Sequence, residues 1–241
     1  MYIERYGNGP IHMVGLHGWS GDHRTFEPIL ASLPARYTFW SVDLPGCGKS
    51  PAPAQWTLAA IARELEIALA KIPAPLHLVG NCSGAIFALA IAPALRVTKI
   101  TMIDAFAFWP WYFKIFLVKG WGRYAYLAAF ANPLGRWLAN LSLAKRRTSD
   151  TNLTDGFSRV DHAVTYLYLQ VLDEIQSLSQ FSGIEVPIDI VCGEKSFAAV
   201  RNSTAIWQRI FPHAKAFELT GAGHLPIREA TLQMQQMLFE E

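Results

Sequence analysis

Short apolar runs alternate along this chain with longer stretches whose apolar positions recur at helical spacing. The runs Ile11–Leu16, Thr38–Val42, Leu76–Val79, Lys99–Ile103, Ile188–Cys192 and Ala216–Leu219 predict strands. An irregular strand over Tyr2–Tyr6 precedes them. The periodic stretches predict helices over Arg24–Ser32, Leu58–Lys71, Ser83–Ala92, Ala198–Ile210 and Arg228–Phe239. Pro34, Pro73, Pro75, Pro187 and Pro212 fall between these elements, where a residue without a backbone N–H does least harm. Strands alternating with helices predict an α/β fold, a mostly parallel sheet covered by helices on both faces. Between Asp104 and about Ser182 the helical periodicity continues but strand signals vanish. No internal repeat or low-complexity run interrupts the pattern.

Bulk properties fit this picture. A chain of 241 residues can fold as one large domain with an ample core. Its 51% hydrophobic and 17% charged residues describe a globular protein rather than a disordered one. A net charge of +2 gives no argument for nucleic acid. Cys47, Cys82 and Cys192 are odd in number and far apart, which speaks against a disulfide framework and for a reducing, cytoplasmic setting. The first residues, Met1–Tyr6, carry no apolar leader, and no stretch reads as a membrane span. There is no phosphate loop and no Cys-x-x-Cys or His-Glu-x-x-His signature, so neither cofactor nor metal is expected.

The most chemically informative segment is Leu78-Val79-Gly80-Asn81-Cys82-Ser83-Gly84-Ala85. It reads as a strand, a sharp turn and a helix, with Gly-x-Cys-x-Gly at the bend. A nucleophile on such a turn sits in strained backbone and needs small neighbours, hence Gly80 and Gly84. The turn also sets Cys82 at a helix N-terminus, where the dipole favours a thiolate. Free cysteine is among the most buried residue types, so packing is the alternative role. The central position in the bend favours the nucleophile, and Ser83 comes one place too late.

Three further segments complete a pattern: Leu16-His17-Gly18-Trp19 after the second strand, Val42-Asp43-Leu44-Pro45-Gly46-Cys47-Gly48-Lys49-Ser50 after the third, and Phe211-Pro212-His213-Ala214-Lys215-Ala216-Phe217-Glu218-Leu219-Thr220-Gly221-Ala222-Gly223-His224 near the end. Together with the bend they resemble the α/β-hydrolase superfamily, from about Gly9 to the C-terminus apart from the middle insert. Within it the chain is similar to the pimeloyl-ACP methyl ester esterases of biotin synthesis. The resemblance implies an α/β-hydrolase core over 1–104 and 183–241, with a helical cap over 105–182. It implies Cys82 as nucleophile, His224 as general base, and an oxyanion hole from the backbone N–H groups of Trp19 and Ser83. His17 would support that loop through hydrogen bonds, whereas His12, His23, His77, His162 and His213 read as surface or strand residues.

The acid departs from the family pattern. Relatives usually carry it in a Gly-x-x-Asp segment after the penultimate strand, but Gly193-Glu194-Lys195-Ser196 has serine there. A hydroxyl cannot stabilise an imidazolium as a carboxylate does. Met102-Ile103-Asp104 ends the strand after the bend helix, and some relatives supply the acid from that strand end. Asp104 is therefore the candidate, with Glu194 second. A third option is no acid, because a thiolate forms more easily than an alkoxide.

The first half of the insert is basic and aromatic. Residues 105–149 contain seven Lys or Arg and no Asp or Glu. Phe106, Phe108, Trp109 and Trp111, with Trp19, are candidate walls of a hydrophobic acyl pocket. Packing of the aromatics with the cations in solvent is one account of the segment. The resemblance implies another, an acidic carrier protein steered to the pocket mouth, and a membrane surface suits the same composition. For the reaction, an acyl-cysteine leads to hydrolysis of an ester or thioester. The same intermediate also serves acyl transfer or cyclisation, and a decayed hydrolase that only binds ligand is the non-enzymatic reading.

Overall fold

The computed structural model describes residues 1–148, 150–175 and 177–240. Seven strands form one sheet: β1 (Ile3–Gly7), β2 (Ile11–Leu16), β3 (Tyr37–Val42), β4 (Leu76–Asn81), β5 (Val97–Ile103), β6 (Ile188–Gly193) and β7 (Lys215–Leu219). Their order is β1-β3-β2-β4-β5-β6-β7. Only β1 pairs antiparallel, with β3; the other pairings are parallel. The apolar runs arise because central strands are buried on both faces. Alternate residues serve two cores: Leu78, Ile100, Met102 and Ile190 face the larger one, and Val79, Ile103 and Val191 face the other.

Helices cover both faces. The larger core is closed by α2 (Leu58–Leu69), α3 (Gly84–Ile91), α7 (His162–Asp173) and α8 (Ala198–Ile210). The second is closed by α1 (Glu27–Leu30), α9 (Pro226–Glu229) and α10 (Thr231–Phe239). Side chains set the helix starts: Thr57 accepts from the Ala60 N–H and Asp161 from the Ala163 N–H. Two predicted helices are corrected. The span Arg24–Ser32 is a 3₁₀ turn over His23–Phe26, capped by Asp22, followed by the short α1. The span Arg228–Phe239 breaks at Ala230, whose φ of −134° leaves the helical region and separates α9 from α10.

Between β5 and β6 the described residues form no strand. They give α4 (Trp111–Lys114), α5 (Gly122–Tyr126), a wider π-helical turn over Leu127–Ala131, α6 (Pro133–Ser142) and α7. α7 packs into the larger core through Tyr168, Val171 and Leu172. The chain winds outward from β2 to β3, then crosses back so that β4 lies on the other side of β2. Ligand sites of open α/β sheets form at the carboxyl ends of strands where the order reverses. Here that point is the end of β2 beside the end of β4.

Candidate active site

Cys82 follows the last residue of β4 and adopts φ +51°, a left-handed conformation costing a non-glycine residue about 1–3 kcal/mol. Its N–H donates to Ile103 O at 2.7 Å, which holds the turn. The flanking glycines are sterically required. A Cβ on Gly80 would lie 2.4 Å from the Ala85 Cα, and one on Gly84 would lie 2.1 Å from Leu16 O. Asp104, directly after β5, is likewise left-handed at φ +50°.

The three site residues that the sequence singled out for chemistry converge. His224 Nδ1 lies 2.7 Å from Asp104 Oδ2, and the ring lines the same cavity as Cys82. The Asp104 carboxylate is fully buried and accepts two further bonds, from the Gly193 N–H at 2.9 Å and from Ser196 Oγ at 2.5 Å. Serine at the position expected to carry the acid thus serves as a donor to the carboxylate that faces the histidine. Glu194 is exposed and accepts from the Gly221 N–H at 2.7 Å, with no contact to His224 among its hydrogen bonds. Burial disfavours the His224 imidazolium, but the hydrogen bonds and charges of Asp104 and Cys82 outweigh it and push the pKa up to about 10. Burial moves the other two thiols away from reactivity, Cys47 up to about 12 and Cys192 also upward.

The loop after β2 packs closely on the bend: a Cβ on Gly18 would meet the Cys82 Cβ at 3.0 Å. The buried ring of His17 accepts from the Leu44 N–H through Nε2, at 3.0 Å, leaving Nδ1 to donate to Gly18 O at 2.8 Å. Burial lowers its pKa, which keeps this ring neutral. Among the described residues no hydrogen bond within the chain occupies the backbone N–H of Trp19 or of Ser83. His23 is corrected: it is buried and lies 2.8 Å from Asp43 Oδ1, because Asp43 also accepts from the His23 and Lys49 N–H groups.

A cavity of about 1210 Å³ opens above the bend. Trp19, Cys82, Ser83, Phe106, Phe108, Trp109 and His224 all line it. Trp111 does not: it starts α4 pointing outward and is 75% exposed, while Tyr112 and Phe113 take the inner wall. Sequence reasoning also missed Phe197, whose ring stands edge-on to His224 at 4.6 Å between centroids. Its place just before α8 held no signal of that contact. A carboxylate outside the cavity wall organises the histidine loop. Glu229 accepts from the N–H groups of Gly223 (2.6 Å) and Leu225 (3.3 Å) with one oxygen, and from Thr148 N–H (2.9 Å) and Thr151 Oγ (2.5 Å) with the other. The His224 N–H itself donates to Arg146 O at 2.9 Å.

A seven-stranded, mostly parallel sheet with a strained bend after β4 and a histidine after β7 is the architecture of the α/β hydrolases. The model of the alpha/beta hydrolase family matches residues 13–233, and the chain belongs to that family. Among curated relatives, the pimeloyl-[acyl-carrier protein] methyl ester esterase of Methylococcus capsulatus is 40% identical over 92 residues, 38% of this chain and 35% of that protein. The protein of the same name from Aeromonas salmonicida is 36% identical over 92 residues, 37% of this chain and 35% of the relative. The match therefore spans about a third of these relatives' length. Among solved structures, a thermophilic esterase from Thermogutta terrifontis superposes with a TM-score of 0.79 at 18% identity, covering 99% of this chain and 91% of that one. A bromoperoxidase from Bacillus anthracis gives 0.79 at 17% identity, covering 99% and 94%. Both share the fold.

Proposed function

We propose that this hydrolase-family chain cleaves acyl esters or thioesters through a covalent acyl-cysteine, with Cys82, His224 and Asp104 as its triad. The observation that carries the reading is Cys82 on a strained bend at the cavity floor, sharing that cavity with a histidine that a buried carboxylate orients. In the reactive pair the Cys82 proton has passed to His224, whose ring Asp104 holds, leaving a thiolate and an imidazolium. The Cys82 sulfur attacks the carbonyl carbon, and the oxygen takes its negative charge toward the Trp19 and Ser83 N–H groups. As the carbon–oxygen or carbon–sulfur bond of the leaving group breaks, His224 gives it the proton. The neutral ring then takes a proton from water, whose hydroxide attacks the acyl-cysteine. Collapse releases the acid and restores the thiolate–imidazolium pair.

We read 105–182 as a cap over this site. Trp19, Phe106, Phe108 and Trp109 form apolar walls for the acyl group. A pimeloyl methyl ester on acyl carrier protein is the substrate to test first, given the names of the relatives. The three free cysteines suit a reducing compartment, which we take to be the cytoplasm. The thiol also favours a second outcome of the same intermediate, transfer of the acyl group to an amine, thiol or alcohol. Intact-protein mass after brief exposure to activated acyl esters and thioesters tests the reading. An acyl increment on wild type, absent from Cys82→Ala, is expected, and its decay with and without acceptors separates hydrolysis from transfer. No increment and no product from any acyl donor would leave a ligand-binding protein instead.

A further inference from the structure

α6 carries its apolar residues on the outside. Leu134, Trp137, Leu138 and Leu141 recur at i, i+3, i+4 and i+7, so they share one face, and each is between 52% and 62% exposed. The orientation is locked. Gly135 on the other side lies so close to the preceding turn that a Cβ would sit 1.8 Å from Ala128 O. The Arg136 guanidinium donates to Phe130 O and Ala131 O at 3.1 and 2.8 Å, further fixing the helix to that turn. The stripe therefore cannot roll inward. Upstream of it on the same segment, Trp121 and Tyr124 are also exposed, with the cations Lys119 and Arg123 beside them in sequence. No acidic residue occurs anywhere in 105–149.

We propose that this face docks on an anionic lipid bilayer, with the α6 stripe in the headgroup–acyl boundary. An acidic carrier protein would be met by cations; four large apolar side chains standing side by side in water are what hydrocarbon takes up. Trp and Tyr rings suit the boundary itself, and the acid-free cationic segment complements negative headgroups. Among the described residues no helix is long and apolar enough to cross a membrane. Ala139, Ser142 and Leu143, on or just past α6, line the cavity, so docking brings the cavity wall to the bilayer surface.

The test is co-sedimentation of the full chain with phosphatidylcholine vesicles, with and without phosphatidylglycerol, at low and high salt. Wild type is expected to sediment with the anionic vesicles and to be released by salt. The pair Trp137→Ser and Leu138→Ser should lower partitioning at least tenfold, and Lys119→Gln with Arg123→Gln should remove most of the salt dependence. Both variants replace exposed side chains outside the cavity, so hydrolysis of a soluble short-chain ester serves as the folding control. Failure of wild type to sediment, or equal sedimentation of the Trp137/Leu138 variant, overturns the proposal. So does loss in that variant of carrier-protein binding or of self-association where vesicles are not bound. Binding is read without turnover, so any of these outcomes leaves the hydrolase reading to its own test.

Discussion

A thiol beside a histidine that keeps its proton responds to pH differently from a hydroxyl in the same place. In the proposed mechanism a thiolate is paired with an imidazolium, and that pair is broken when the ring loses its proton. The kcat/KM of wild type should therefore hold through neutral pH and fall near pH 10, where His224 deprotonates. Cys82→Ser needs a neutral ring as base and lacks the sulfur charge that helps hold the ring's proton, so its lower activity should instead rise with pH, at lower pH than the wild-type fall. Asp104→Asn removes the charge that favours the imidazolium; the wild-type falling limb should move to lower pH and the rate should drop by roughly 10²–10⁴-fold. A pH-independent ratio of the three profiles would sink the ion-pair assignment. The same shift acts on folding. The native state holds a proton that the unfolded chain releases near pH 6.5, so this contribution to stability is complete below 6.5 and declines as pH rises toward about 10. Denaturant unfolding of wild type against His224→Gln measures that slope. Ser196 gives a smaller, graded effect. Ser196→Ala removes one of three donors to Asp104, a bond to a charged group worth about 1.5–3 kcal/mol, so unfolding free energy should fall by that order while Gly193 and His224 still hold the carboxylate. Unchanged stability would mean that Ser196 contributes nothing to holding the acid.

At the scale of elements, the sheet was legible because buried strands must be apolar, and every predicted strand lies within about two residues of an observed one. The bend was legible because backbone crowding demands Gly80 and Gly84. Asp104 was open to rivalry from Glu194 because sequence spacing says nothing of which carboxylate a turn carries inward; in the structure Asp104 is the one that meets His224, and Glu194 lies in solvent. Trp111 was misplaced because composition marks an aromatic segment without saying which ring faces in. Glu229 was invisible, since its partners come from two loops distant in sequence. It joins the histidine loop to the segment that follows α6, so the seating of the insert and the aim of His224 depend on one carboxylate. Glu229→Ala should strand several buried or half-buried donors and lower stability by about 2–4 kcal/mol. Glu229→Gln, which keeps one acceptor oxygen, should recover part of this. Because a loosened His224 affects chemistry more than binding, kcat should fall at least tenfold with KM little changed, and hydrogen exchange should quicken across 220–225. A change in KM alone would assign Glu229 to the cavity wall rather than to the histidine.

On the scale of the whole molecule, the sheet order sets Cys82 in the crevice between β2 and β4, and residues of the helical insert line the cavity above it. The resulting cavity of about 1210 Å³ exceeds the ~300–1,000 Å³ usual for small-molecule sites, and ten aromatic residues contribute to its lining. An acetyl group would leave most of that apolar wall in contact with water, whereas each methylene of a longer acyl chain that enters it contributes about 0.8 kcal/mol. Binding energy from this non-reacting part of the substrate can hold the carbonyl against Cys82 and so assist the chemistry. Along a series of straight-chain acyl esters or thioesters sharing one leaving group, kcat/KM should therefore climb by about fourfold per added methylene and level off once the cavity is filled. Measuring the series below micelle formation keeps the slope a property of the monomeric substrate. Phe106→Ala and Trp109→Ala, which enlarge the cavity and remove apolar wall, should flatten the slope and move the plateau to longer chains. A preference for acetyl esters in wild type would show that the substrate does not occupy the aromatic cavity, and would leave the Cys82 chemistry intact while removing the hydrophobic acyl chain from the functional reading.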